Sequence, residues 1–424
     1  MTSDPDELEV GLSWLRGKPG LKWRSAGPDE IAAWVADMDF RIPRVVREAL
    51  AAMVAGGDLG YPEWLHDAVP LREAFAARMA QQYGWSPAPG EVREFSDIIQ
   101  ALQAVLHVST TPGDAVAMHL PAYPPFLETL AVMKRRLVEI PIERSADHWE
   151  FDPERFARDA GASGARTLIL VNPHNPTGRS FSRPELESIA AVAESRDLLV
   201  ISDEVHADLT YPQHAHIPFA SISPDTAART VTITSATKAF NLAGIRCAVA
   251  HIGSPAIRRS FAAMPPLVFG TASAPGVTAT LAAWHDGGPW LSAVLGRLDE
   301  NRWIIDKALR PLGIGYLPPD ATYLAWLDCR DLGLRRDPAE FFLDRAKVRL
   351  SPGPEFVRFR GIASAGHQAG DVLCAGEQAP GERVTPHKQT GRAVGDGFVR
   401  LNFATSGAVL TQICDRMSAA LEEG

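Results

Sequence analysis

The fold of this chain is decided by residues 167–204, TLILVNPHNPTGRSFSRPELESIAAVAESRDLLVISDE. The two ends of this stretch, TLILV and LLVIS, are apolar throughout, which is typical of strands that helices cover on both faces. Between them, Ser182 and Glu185 have the spacing of a capping box, and Pro184 is tolerated in the first turn of a helix. The stretch therefore predicts a β-α-β unit.

Similar runs occur on both sides of this unit, between about residue 90 and residue 253. They are DAVAMH at 114–119, RLVEIPI at 136–142, RTVTITSA at 229–236 and CAVAHIG at 247–253. Each has the length of a strand, and longer helical patterns separate them. These patterns predict an α/β fold whose large domain contains a mostly parallel sheet between two layers of helices.

The sequence changes character after about residue 300. NRWIIDKALRPLGI, ATYLAWLD and PAEFFLDRAKVRLSPG predict a helix, a strand, and then a helix followed by a strand. We expect a large domain at 51–290 and a smaller α+β domain at 291–424, which contains a long Gly-rich and polar loop at 358–397. Residues 1–50 carry Trp14, Trp23 and Trp34, and we expect them to pack against the small domain or a second subunit.

Composition limits the classes of function. The chain has 42 Lys and Arg against 51 Asp and Glu, a net charge of −9, which argues against a nucleic-acid surface or a basic membrane patch. The start, MTSDPDELEV, lacks a basic region followed by an apolar run, so we expect a cytoplasmic protein. A small-molecule ligand is the favoured partner.

The cysteines and one histidine pair give little sign of metal binding. Cys247, Cys329, Cys374 and Cys414 are far apart, with no CxxC pair, and are interpreted as free thiols. His214 and His216 form a short HAH motif without accompanying carboxylate or cysteine ligands, so we assign them to a surface loop. No metal is predicted.

Three polar residues follow three of the predicted strands. Asn175 comes after TLILV, Asp203 after LLVIS and Lys238 after TVTIT. Taken singly, they could be a turn residue, a helix cap and a surface cation. Because parallel strands deliver their carboxyl ends to one edge of a sheet, we expect all three to meet in one crevice.

This set matches the requirements of pyridoxal 5′-phosphate (PLP). PLP needs a lysine amine for a Schiff base, a carboxylate beside its pyridine nitrogen, and donors around its phosphate. Lys238 and Asp203 supply the first two, while Ser235 and Arg246 flank Lys238 in sequence and are suited to a phosphate dianion. The sequence therefore predicts PLP as cofactor.

Several motifs then point to one superfamily. NPHNPTG, SDEVHADL, SATKAFNLAGIR and RLNFA resemble, in order, the signatures of fold-type I PLP enzymes of the class I/II aminotransferase superfamily. WVADMDF at 34–40, GYP at 60–62 and the histidine of SDEVH resemble its MalY/PatB branch of cystathionine β-lyases and C-S lyases. The resemblance implies a seven-stranded, mostly parallel sheet in the large domain and a homodimer with shared active sites.

The resemblance also implies roles around the cofactor ring. Lys238 would form the Schiff base, and Asp203 would pair with the pyridinium nitrogen. Asn175 and His206 would lie near the ring hydroxyl oxygen, with Tyr123 of PAYPPF stacked on the ring.

Further residues would hold the phosphate and the substrate. Ser235, Arg246 and the backbone of Ile98 and Ile99 in FSDIIQAL would bind the phosphate, with Tyr61 reaching across from a second subunit. The predicted substrate-binding residues are Arg400 for the α-carboxylate, Asn175 beside it, and Asp37 with Asp39 near the side chain. The predicted catalytic residues are Lys238, Tyr123 and Tyr61.

The resemblance leaves the reaction open. Lys238 would take the Cα proton of an amino-acid substrate, after which a thiolate could leave from Cβ. The same residues could instead support transamination, or decarboxylation or oxidative deamination of a cysteine conjugate. WVADMDF favours elimination, and the intact Lys238, Asp203 and Arg400 argue against a purely regulatory protein on this fold.

Two features depart from the family pattern. Asp97 stands where a glycine is usual in the phosphate-binding turn. Either Asp97 caps its helix and points away, which we favour, or the phosphate is held differently and cofactor affinity suffers. The loop at 358–397 is longer than in similar proteins, and is either part of a substrate mouth for a bulky conjugate or a disordered insertion.

Overall fold

The computed structural model describes residues 8–57, 59–62, 70–265, 268–358 and 395–422. Most of the predicted loop at 358–397 and Cys374 lie outside these residues. No helix in the described part of the chain is long and apolar enough to cross a membrane.

The large sheet has seven strands: β2 (Val92–Phe95), β3 (Ala115–Leu120), β4 (Arg136–Pro141), β7 (Thr167–Val171), β8 (Leu199–Asp203), β9 (Thr230–Thr234) and β10 (Ala248–Ile252). Their order in the sheet is β2-β10-β9-β8-β7-β3-β4. β10 runs antiparallel to both of its neighbours, and the other pairs are parallel. The prediction of a mostly parallel seven-stranded sheet is therefore confirmed.

The helices that cover this sheet bury alternate residues of its strands. Met118, Ile169 and Ile201 belong to the hydrophobic cluster on one face, whereas their neighbours Leu168 and Val200 belong to the cluster on the other. The first cluster includes side chains of α5 (Ile98–Ser109), α6 (Pro124–Val132) and α11 (Pro255–Ala262). The second includes side chains of α7 (Pro153–Ser163) and α8 (Arg183–Ser195). Two-sided burial explains why the strands lack polar alternation.

The predicted β-α-β unit is present. Ser182 and Glu185 form the capping box at the start of α8, with Pro184 in its first turn. Val171, at the end of β7, pairs with Asp203, at the end of β8, and Asp203 also pairs with Ile233 of β9. The three strands therefore end at one level, where the residues that follow them share a crevice.

The N-terminal and C-terminal parts of the chain form a second sheet and core. β11 (Leu324–Asp328), β13 (Ser351–Pro352) and β14 (Phe398–Asn402) form an antiparallel sheet in the order β11-β14-β13. β1 (Ile31–Ala32) pairs in parallel with β12 (Val348–Arg349), so the N-terminal segment does pack against the C-terminal part. The domain boundaries at residues 50 and 290 stay a prediction.

The remaining elements complete the framework. The other short strands are β5 (Glu143–Arg144) and β6 (Trp149–Glu150). The other α-helices of the described residues are α1 (Leu12–Arg16), α2 (Leu21–Arg24), α3 (Arg44–Ala55), α4 (Pro70–Tyr83), α9 (Pro224–Ala228), α10 (Ala236–Ala239), α12 (Ala274–Asp286), α13 (Gly288–Leu309), α14 (Pro338–Arg345) and α15 (Gly407–Glu422).

Candidate active site

A cavity of about 560 Å³, here called the catalytic cavity, lies at the carboxyl ends of β7, β8 and β9. It brings together most of the residues predicted to form the site: Ile98, Ile99, Tyr123, Asn175, Asp203, His206, Ser235, Lys238 and Arg246. The crevice expected from three parallel strand ends is therefore present.

Lys238 lies on α10, one short turn after β9. Its Nζ donates a hydrogen bond of 2.7 Å to the carbonyl oxygen of Ala36. Burial and, to a smaller extent, the charge of Arg400 lower the pKa of Lys238 to about 8, although the carboxylates of Asp37 and Asp203 oppose the shift. A lysine with this pKa has a substantial fraction of neutral, nucleophilic amine near physiological pH.

Asp203 ends β8 and is buried. Its Oδ1 accepts a hydrogen bond of 3.1 Å from the backbone N–H of Val205. Burial raises the pKa of Asp203 to about 7. A cation beside this carboxylate would favour its ionised form, which suits a partner for a protonated pyridine nitrogen.

His206 and Tyr123 form part of the same wall. Burial lowers the pKa of His206 to about 3, with Lys238 and Arg400 adding to the shift, so its ring is neutral and can donate one hydrogen bond. The Nδ1 of His206 has no partner in the described structure. Tyr123 precedes α6, and burial raises the pKa of its hydroxyl, which therefore stays protonated.

Arg400, from β14, approaches the cavity from the smaller sheet. Its Nη1 donates to Oδ1 of Asn175 at 3.1 Å, and its Nη2 donates to the carbonyl oxygen of Trp34 at 2.8 Å and to Oγ of Ser351 at 3.3 Å. Burial lowers the pKa of Arg400 to about 10, so it remains a cation at neutral pH. Its buried Nε has no partner in the described structure, which leaves a donor for a carboxylate.

The backbone carbonyls of residues 34–37 hold several site residues in place, a role that sequence reasoning did not assign to this segment. Besides the bonds from Arg400 and Lys238, its backbone carbonyls accept from Tyr323, whose hydroxyl lies 3.1 Å from the oxygen of Ala36. Asn402 donates to the carbonyl oxygens of Val35 and Asp37. These contacts join residues that are far apart in sequence, so no local sequence pattern predicts them.

The phosphate-binding end predicted for the cavity contains a carboxylate. Asp97 caps α5 through a hydrogen bond of 2.8 Å from the N–H of Gln100 to its Oδ1, as favoured from sequence. The expectation that it points away is wrong, because its Oδ2 forms an ion pair with Arg246 and it lines the cavity. The ion pair with the guanidinium of Arg246 explains why the side chain of Asp97 turns towards the cavity.

Three further assignments need correction or stay untested. Asp39 is not near a substrate position: it is buried, pairs with Lys22 at 2.9 Å and accepts from Trp23 at 2.7 Å, so its role is structural. The surface-loop assignment of HAH is wrong for His216, which is buried against Glu204 at 2.9 Å. Tyr61 is 93% exposed and does not line the cavity of its own chain.

The cysteine assignment agrees with the structure where it is described. Cys247, Cys329 and Cys414 are buried free thiols. Among the described residues, no group of three His, Cys, Asp or Glu side chains is arranged to hold a metal ion.

The donor set fits PLP. A buried lysine of lowered pKa, a buried carboxylate ready to pair with a cation, and a hydroxyl and guanidinium near a helix N-terminus line one cavity on an α/β sheet. This fold and this donor set define a PLP-dependent enzyme.

Comparison with known proteins agrees. The model of the family described as Aminotransferase class I and II matches residues 35–372, and the chain belongs to this family. A putative cystathionine beta-lyase of Mycobacterium tuberculosis is 34% identical over 447 residues, with 99% of each chain covered. The cystathionine beta-lyase PatB of Bacillus subtilis is 30% identical over 416 residues, covering 96% of this chain and 97% of the relative.

A solved structure extends the likeness to the whole fold. A putative PLP-dependent beta-cystathionase from Corynebacterium diphtheriae has a TM-score of 0.83 and 28% identity to this chain. The match covers 98% of this chain and 99% of that one.

Proposed function

We propose that this PLP-dependent carbon–sulfur lyase acts on a cysteine S-conjugate or a cystathionine-like amino acid. It releases a thiol, pyruvate and ammonia by α,β-elimination. The observation that carries the proposal is that Lys238 and Asp203 line one cavity together with Asn175, to which Arg400 donates a hydrogen bond. The relatives named cystathionine beta-lyase, at 30% and 34% identity, support the choice of reaction.

Different residues of the cavity would contact different parts of the cofactor. Asp203 would face the pyridine nitrogen, with Tyr123 on the ring face and His206 and Asn175 near the ring hydroxyl. Ser235, Arg246 and the first N–H groups of α5, those of Ile98 and Ile99, would hold the phosphate. When bound, PLP supplies an electron sink that makes the Cα proton of an amino acid acidic enough to remove.

The chain's own groups then act on the substrate. Arg400, held in place by Asn175 and the carbonyl oxygen of Trp34, binds the α-carboxylate through a planar guanidinium. The amine of Lys238 accepts the Cα proton. The Cβ–S bond breaks with its electron pair on sulfur, and the resulting three-carbon enamine takes up water to give pyruvate and ammonia.

A homodimer is part of this proposal. Val54, Leu59 and Tyr61 are 68%, 63% and 93% exposed, which is unusual for large apolar or aromatic side chains so close in sequence. A second copy of the chain would cover them and bring the partner's Tyr61 to the phosphate end of the cavity.

The experiment that tests the reaction mixes PLP-loaded protein with cystathionine or S-ethylcysteine, without any keto acid. Equal amounts of pyruvate and thiol are expected. If neither forms, and an amino group is transferred once a keto acid is added, the enzyme is an aminotransferase and the proposal fails.

Asp97→Asn is expected to tighten PLP binding about tenfold, because it removes a negative charge beside the proposed phosphate position. Asparagine caps helices as well as aspartate does, so α5 keeps its N-cap. The measurement is the dissociation constant of PLP for the apoprotein.

Pyridoxal, which lacks the phosphate, is the matched control ligand for this variant. Its affinity should be the same for both proteins. Weaker PLP binding by the Asn variant would contradict the prediction and show that Asp97 serves to position Arg246.

A further inference from the structure

A second cavity, of about 350 Å³, adjoins the catalytic cavity. Ala243 lines both, and Asp37, which lines the second, directly follows Ala36, which lines the first. The charge of Asp37 also raises the pKa of Lys238, so its carboxylate lies within electrostatic reach of the reacting amine. The two spaces therefore share Ala243 as a wall and lie side by side along Ala36 and Asp37. We call the second one the distal pocket, lined by Trp14, Lys18, Asp37, Phe40, Arg41, Ile42, Arg47, Asn241, Ala243 and Gly244.

The walls of the distal pocket are fixed by hydrogen bonds. Asn241 donates to the carbonyl oxygens of Met38 at 3.3 Å and Phe40 at 2.8 Å, and its Oδ1 accepts from the N–H of Met38 at 3.1 Å. Trp290 donates to the carbonyl oxygen of Arg41 at 3.1 Å. The backbone that carries Asp37 and Arg41 is therefore held against the rest of the fold.

Three cations line the distal pocket, and two of them, Lys18 and Arg41, lie close to the ring of Trp14. Lys18 donates to the carbonyl oxygen of Met38 at 3.2 Å and lies 5.8 Å from the ring of Trp14, and the guanidinium of Arg41 lies 5.0 Å from the same ring. Within the part of the chain that the structure describes, neither forms an ion pair with a carboxylate. Asp37 is the one carboxylate among the lining residues, and it lies on the side of Lys238.

We propose that the distal pocket receives the group attached to the substrate sulfur, and that this group carries a carboxylate. The inference rests on the proposed lyase function and adds the chemical class of the leaving thiol. The indole of Trp14 offers apolar surface to the carbon chain of that group, and Lys18 and Arg41 complement its negative end. The negative charge of Asp37 acts on Lys238 in the catalytic cavity. It therefore disfavours placing the second carboxylate of the substrate there, in addition to the α-carboxylate bound by Arg400.

The test uses two cysteine conjugates of nearly equal size and shape. S-(2-carboxyethyl)cysteine carries the carboxylate, and S-(2-carbamoylethyl)cysteine replaces it with a neutral amide. The readout is the ratio of kcat/KM for acid over amide, measured as pyruvate release by the PLP-loaded enzyme. This ratio cancels any general loss of folded or active protein. We expect it to exceed about tenfold, the effect of one or two charge-assisted hydrogen bonds.

Variants then assign the preference to the pocket. In the double variant Lys18→Gln, Arg41→Gln, the ratio is expected to fall about tenfold. Arg44→Gln is the matched control: it removes one positive charge from a nearby exposed position that does not line the pocket, and Arg44 pairs on the surface with Glu48. That variant should keep the wild-type ratio.

The outcomes separate this inference from the proposed function. Pyruvate from both conjugates at equal kcat/KM, or a ratio that survives the double variant, would overturn the distal pocket while leaving the lyase intact. If neither conjugate yields pyruvate and an S-alkylcysteine is also inert, the result counts against the lyase function itself. The inference about the distal pocket then fails with it.

Discussion

Lys238→Ala is expected to lower pyruvate formation by about 10⁴-fold or more, because it removes both the amine that reacts with the cofactor and the base that takes the Cα proton. The structure gives the physical reason for the choice of this lysine. Burial lowers its pKa to about 8, and its Nζ is held 2.7 Å from the carbonyl oxygen of Ala36, so a reactive amine is kept in one place. The measurement is pyruvate release with saturating PLP and S-ethylcysteine.

A small primary amine separates chemistry from folding in this variant. Ethylamine in solution should restore part of the activity of Lys238→Ala, since the cavity then again contains an amine, whereas it cannot repair a misfolded chain. Lys307→Ala, at an exposed position of α13, is the control for loss of any lysine. Full activity in Lys238→Ala would refute the role assigned to this residue.

The site could be predicted to the extent that it follows from strand ends. Asn175, Asp203 and Lys238 each come shortly after a two-sided apolar run, and parallel pairing of β7, β8 and β9 brings such residues to one edge. This inference needs only the local pattern and the parallel topology, both of which the sequence carries. The capping box of Ser182 and Glu185 is similarly local.

What could not be predicted depends on contacts between distant segments. β2 has only four residues and joins the sheet by pairing with β10. β10 runs antiparallel to both β2 and β9, and no local sequence signal predicts either of these two pairings. The carbonyl oxygen of Ala36 meets Lys238 and Tyr323 only after the N-terminal segment has packed.

Charge partners were misjudged for the same reason. His216 becomes buried because Glu204 accepts its hydrogen bond, and Asp97 turns into the cavity because Arg246 is there. In each case the partner lies on a different element, and hydropathy alone gives an exposed position. A buried or inward-facing charged group is stable only with such a partner.

Asp203→Asn is expected to lower kcat by about 10²–10³-fold, because the amide cannot hold the pyridine nitrogen protonated and so weakens the electron sink. The amide oxygen can still accept the hydrogen bond that Val205 donates to Asp203. The variant therefore keeps the shape of the strand end. The measurement is kcat for pyruvate release, with occupancy by PLP checked for both proteins.

A loss of activity alone would not distinguish this role from damage to the fold, but the stability of the apoprotein would. Burial raises the pKa of Asp203 from 3.8 to about 7, so between these values the folded chain holds a proton that the unfolded chain has released. The unfolding free energy of the wild type therefore falls as pH rises from about 4 to 7, by about 4 kcal/mol from this group.

The Asp203→Asn variant has no carboxyl group at this position, so it lacks this pH-dependent contribution. Its free energy of unfolding relative to wild type should therefore increase between about pH 4 and pH 7. A merely damaging substitution would lower stability at every pH. Denaturant unfolding of both apoproteins at pH 4.5 and pH 7.5 makes the comparison. An unchanged difference between the two proteins would mean that Asp203 is not a carboxyl group held protonated by burial. A difference that grows with pH, together with the fall in kcat, would show that the fold tolerates an unfavourable carboxylate there until a cationic partner is bound.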